Sequence, residues 1–61
     1  FMKFIKVKDQ YGETIIQIDQ ITTIAADKNG NYVIRFSTGD FQLNIDNNDA
    51  QMIFREIGVS L

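Results

Sequence analysis

The chain contains no cysteine and no histidine among its 61 residues. Without cysteine there is no disulfide and no thiolate nucleophile. Without histidine the common zinc sites, the imidazole general base and the charge switch near neutral pH are all excluded. Glycine is scarce, with four isolated copies, so no glycine-rich phosphate loop can form. The longest apolar stretches are short, as in Thr14-Ile15-Ile16, and no segment could span a bilayer as a helix. Phe1 to Lys8 alternates without an apolar core of its own, so no signal peptide is expected. Serine occurs at Ser37 and Ser60, neither in a Gly-x-Ser-x-Gly setting and neither with an imidazole base in the chain. Both read as ordinary surface hydroxyls.

What remains is a small chain of balanced charge. Six basic residues face eight acidic ones, a net of −2. That weighs against dominant phosphate binding and against a membrane-surface protein. A chain of this size makes one domain, residues 1–61, and buries only about 60% of the surface its unfolded form exposes. Small domains commonly add a disulfide, a metal or an oligomer interface to compensate. The first two are removed by composition, which leaves packing and self-association. The absence of cysteine suits a cytoplasmic protein.

The dominant hydrophobic period is two, interrupted by turn residues, which predicts antiparallel strands. Strand one is expected over Lys3–Lys8, with Ile5 and Val7 on one face and Phe4, Lys6 and Lys8 on the other. Asp9-Gln10-Tyr11-Gly12 reads as a turn, followed by strand two over Glu13–Ile18. Ile21 and Ile24 break strict alternation, so a bulge or bend near Asp19-Gln20 is expected before a third strand. Asp27-Lys28-Asn29-Gly30-Asn31 is the strongest hairpin signal, because Asn and Gly tolerate positive φ. Strand four follows over Tyr32–Ser37, then a turn at Thr38-Gly39-Asp40, then strand five over Phe41–Ile45. The period then changes to that of a helix: Ala50, Ile53, Phe54 and Ile57 form an i, i+3, i+4, i+7 stripe within residues 48–57. Asn47 or Asn48 is the expected cap, and Gly58 the expected stop. The predicted fold class is mainly β: a five-stranded antiparallel meander or small open, SH3-like barrel with one C-terminal α-helix.

No catalytic residue, metal ligand or cofactor-binding residue is expected. The carboxylates fall mostly in turns or at helix ends, where Asp bonds nearby backbone N–H groups. The D-x-N-x-N spacing of Asp27 to Asn31 matches the opening of a calcium loop, but Tyr32 stands where that loop needs Gly, and Thr38 where it needs Glu. Phe4, Lys6 and Lys8 on one strand face, with Arg35, form the best candidate surface for single-stranded nucleic acid. The competing reading is a solvated face whose lysines deter edge pairing. A second candidate surface comes from apolar excess. Ile5, Val7, Ile16, Ile18, Ile34, Phe36, Leu43, Ile53, Phe54 and Ile57 fill one core. Phe4, Ile15, Val33, Met52, Val59 and Leu61 are left without cover, and an exposed apolar patch marks an interface.

The order of these signals resembles the small flagellar FlbD-type proteins, also called the swarming-motility SwrD type. It rests on a short strand ending at Tyr11-Gly12, a second strand leading into Gln17-Ile18-Asp19-Gln20-Ile21, a later strand closed by Thr38-Gly39, and a final helix with an acidic start. The resemblance spans roughly Lys3 to Ile57. It implies a non-enzymatic cytoplasmic bacterial protein that acts by binding a partner. The expected function is therefore a protein–protein interaction or regulatory adaptor module, with a small nucleic-acid-binding β-barrel domain as the alternative. The expected partners are a second copy, as a homodimer, and an unidentified protein. In a meander, strands one and five would be the edges. Strand five, with no Lys, Arg or Pro, is the one expected to be open to pairing.

Overall fold

The computed structural model describes residues 3–59. Its elements are β1 (Phe4–Asp9), β2 (Gly12–Gln17), a 3₁₀ turn (Ile18–Gln20), β3 (Ile21–Ala26), β4 (Tyr32–Phe36), β5 (Gln42–Ile45) and α1 (Asn47–Ile57). In the first hairpin Ile5 pairs with Ile16 and Val7 with Thr14. This alternation turns Ile5, Val7 and Ile16 inward and leaves Phe4, Lys6 and Ile15 outside. The turn works as its residues predict: Gly12 has φ of +117°, and the Asp9 side chain accepts from the Tyr11 N–H at 2.7 Å.

The chain then turns a corner. The Ile18 N–H still reaches back to the Lys3 carbonyl at 3.0 Å, but Ile18-Asp19-Gln20 winds into a 3₁₀ turn that buries Ile18. Beyond it the Ser37 N–H bonds the Gln20 carbonyl at 2.8 Å, and β3 pairs with β4 through a register shift at Thr22. The irregularity expected at Asp19-Gln20 is therefore both a turn and an adjoining bulge. The next hairpin explains the D-x-N-x-N spacing. One Asp27 carboxylate oxygen accepts from the Asn29 N–H (2.8 Å) and the Asn31 N–H (3.0 Å), closing the turn on itself.

The single meander expected from the sequence is corrected here. The strands form two antiparallel sheets, β1-β2 and β3-β4-β5, with no closed barrel. The corner at Ile18–Gln20 ends the β2 ladder before β3 begins, so consecutive β2 and β3 do not pair. β1 comes to lie beside β5 instead, but side chains bridge the seam. The Gln10 carboxamide donates to the Gln42 carbonyl at 3.3 Å and accepts from the Asn44 N–H at 2.8 Å. A carboxamide carries the donor and acceptor of a peptide group, so Gln10 substitutes for one unit of a neighbouring strand. Further along the seam, the Lys8 N–H donates to the Asp49 carboxylate at 2.8 Å.

The helix begins one residue earlier than the stripe suggested. Its cap is Asp46, whose carboxylate accepts from the Asp49 N–H at 2.9 Å, rather than Asn47 or Asn48. Gly58, with φ of +82°, ends it as expected. The core is one cluster of Val7, Ile16, Ile34, Leu43, Ile45, Ala50, Ile53 and Phe54, with Ile5 and Phe36 half-buried against it. Tyr32 meets Phe54 edge-on, ring centroids 5.4 Å apart. Ile57 departs from its expected core position: it is 43% exposed, because the sheet beneath the last helical turn stops at β3.

Candidate interaction surface

The six residues expected to form one apolar patch are scattered by the fold. Phe4 (56% exposed) and Ile15 (68%) share the outer face of the β1–β2 hairpin, Phe4 opposite Gln17 and Ile15 opposite Lys6. Val33 is half-buried on the outer face of β4, opposite Ala25 and Asn44. Met52 is half-buried beside Ile5, Arg55 and Glu56. These two find cover within the chain and drop out of the surplus. Val59 is exposed at the end of α1, and Leu61 lies outside the described residues.

The candidate nucleic-acid residues are not brought together either. Lys6 and Lys8 line a depression with three acids, Glu13, Asp46 and Asp49, and the Lys6 ammonium lies 3.5 Å from Glu13. Arg35 stands on β4, with β5 between it and β1, and lines a separate depression of about 460 Å³ with Asp40, Gly39 and Phe41. Phe41 leans on Phe36 there, centroids 5.8 Å apart. Lys3 pairs with Glu56 at 2.7 Å. Lys3 and Lys6 are ion-paired, and Lys8 and Arg35 line depressions that also hold acids.

A different set of residues converges instead. A groove of about 290 Å³ lies between β3 and the end of α1, lined by Ile18, Ile21, Thr22, Thr23, Ile24, Phe54, Ile57 and Val59. No charged side chain lines it. Its far wall is built by the helix stop. The Gly58 and Val59 N–H groups both bond the Phe54 carbonyl at 2.9 Å, and the left-handed Gly58 folds the chain back so that Val59 comes round to Phe54. Ile57 and Val59, 43% and 44% exposed, stand on that wall.

The near wall is an open sheet edge. β3 pairs with β4 on one side only. The Asp27 N–H bonds the Asn31 carbonyl, and ladder bonds alternate from there, so the N–H and C=O of Ile24 and Ala26 point away from β4. β3 reads Ile-Thr-Thr-Ile-Ala-Ala, with no charge, no proline and no glycine. It carries none of the charges or prolines that ordinarily block an edge, and its bulge, at Thr22, lies at the start of the strand and leaves Thr23–Ala26 regular. The outer edge of β2 differs, since Glu13 sits on it, opposite Lys8 and 3.5 Å from the Lys6 ammonium on the diagonal. β5, the edge expected to be open, is occupied by Gln10. The sequence signal for β3 was visible in its missing charges, but its position at an edge follows only from the β1–β5 seam.

Among the described residues no helix is long and apolar enough to cross a membrane, and no group of three His, Cys, Asp or Glu side chains is placed to hold a metal ion. No protein family, no curated protein and no solved structure matches this chain.

Proposed function

We propose that this chain is a small non-enzymatic protein-interaction module, of the adaptor or regulatory kind, acting in the cytoplasm. The observation that carries the proposal is the unpaired, uncharged β3 edge alongside the apolar groove closed by Ile57 and Val59. An extended segment can add itself to such an edge through main-chain hydrogen bonds, while its alternate side chains enter the groove. Affinity then comes from the backbone and selectivity from the groove, which favours apolar side chains. The likeness in layout to FlbD-type proteins points the same way. The nucleic-acid alternative has less support, because Arg35 lies apart from Lys6 and Lys8, and acids line both depressions.

Selection of displayed random peptides against the protein, held at nanomolar concentration, tests the reading. The expected result is enrichment of extended sequences with apolar residues at alternate positions, whose binding is lost in Val59→Asp. Enrichment of acidic or basic sequences, or binding indifferent to Val59→Asp, would remove the groove from the account.

A further inference from the structure

We infer that the occupant of the β3 edge is a second copy of the same chain, pairing β3 with β3 antiparallel about a twofold axis near Ile24. This inference rests on the reading of that edge as an interaction face and names its partner. Three features of the molecule converge on it. The first is hydrogen-bonding capacity: the outward N–H and C=O of Ile24 and Ala26 need a partner of strand geometry. A six-residue β3 from a second copy supplies one of matching length.

The second feature is charge. Two copies of a chain with net −2 repel wherever their acids meet. β3 and β5 carry no charged side chain, and of the two β3 is the one whose outer edge no side chain bonds, so the approach costs least there. A partner recognised by its charge would find nothing to read on this edge; a copy of β3 needs nothing of the kind.

The third feature is the state of the other edges. Gln10 takes the Gln42 C=O and the Asn44 N–H on the exposed edge of β5, and the Asp49 carboxylate takes the Lys8 N–H on β1. β2 is unpaired on its outside but presents Glu13, which in a twofold pairing would be brought toward its own copy. A twofold β3 pairing also extends the inner sheet face. Ile24 would then lie beside Ile24 of the partner subunit, and the exposed Ile57 and Val59 of both copies would flank the axis. The joined sheet would run through six strands, three from each copy. An isologous contact of this kind closes after two copies and does not propagate.

Sedimentation equilibrium of the full chain at tens of micromolar tests the inference with three variants. Ala26→Pro removes an outward N–H that no ladder bond uses. Val59→Asp puts a charge on the groove wall at an exposed position, so it gives a second route if Ala26→Pro fails to fold. Ile15→Glu changes the hairpin's outer face and serves as the control. The expected result is twice the 7.0 kDa chain mass for the parent and for Ile15→Glu, with monomer for Ala26→Pro and Val59→Asp. A monomeric parent would overturn the inference while leaving the peptide selection to judge the interaction reading on its own. A dimer that survives both β3-side changes, or that is lost only in Ile15→Glu, would overturn the assignment to this edge.

Discussion

Gln10 does at one position what a whole strand would otherwise do. Its carboxamide meets β5 with a donor and an acceptor, at 3.3 and 2.8 Å, and so holds the two sheets together at the turn of the first hairpin. Nothing in the sequence marks it, because a turn glutamine is ordinary and its partners lie 32 and 34 residues away. Asp27 is the opposite case. Its bonds to Asn29 and Asn31 are local, and the residues that favour a turn over a calcium loop, Asn29-Gly30 for the hairpin and Tyr32 in place of Gly, are local too. Gln10→Ala is expected to lower unfolding free energy by about 1–2 kcal/mol, two ordinary hydrogen bonds' worth, in a urea titration. Gln10→Glu keeps the acceptor for Asn44 but sets a carboxylate oxygen against the Gln42 carbonyl, so it too should be less stable than the parent. Parent-like stability for both would mean the seam is held by packing alone.

The strands and the helix were legible in the sequence because their signals are local: period two, Gly at the turns, an apolar stripe of period 3.6. Pairing order was not. Five strands with short turns suggest a meander, and only the buried Ile18 in a 3₁₀ turn ends the β2 ladder and brings β1 against β5. That one rearrangement exchanged the edges. The β5 edge expected to be open meets Gln10, and β3, expected inside the sheet, stands at an edge. The helix shows the same limit. Its stripe placed Ile57 in the core, but a stripe cannot say where the opposing sheet stops. Gly58 controls what the last turn presents. In Gly58→Ala the left-handed φ of +82° carries a side chain, at a cost of about 1 kcal/mol. The 2.9 Å bond from Val59 to Phe54 should loosen with it. The expected outcome is a modestly lower melting temperature together with weaker peptide binding. A lower melting temperature with unchanged binding would show that Val59 is not held in place by the helix stop.

For the molecule as a whole, the account joins small size to an open edge. A chain of 61 residues without cysteine or histidine has few ways to stabilise itself beyond packing and association. It leaves the outer edge of one uncharged strand unpaired beside an apolar groove, while a side chain bonds the edge of β5. Of the expected partner surface, Phe4, Ile15, Val33 and Met52 lie away from that groove and Val59 lines it, while Leu61 lies outside the described residues. The other groove residues had been assigned to the core or to a strand, since composition alone cannot separate a half-covered isoleucine from a buried one. Amide hydrogen exchange of the parent chain, followed by NMR at two protein concentrations, tests the claim that β3 is the interaction edge most directly. The account predicts that the Ile24 and Ala26 amides exchange slowly at high concentration and faster on dilution, while the outward Glu13, Ile15 and Gln17 amides on β2 do not respond. Fast exchange at Ile24 and Ala26 at both concentrations, or concentration-dependent protection along β2 instead, would contradict it.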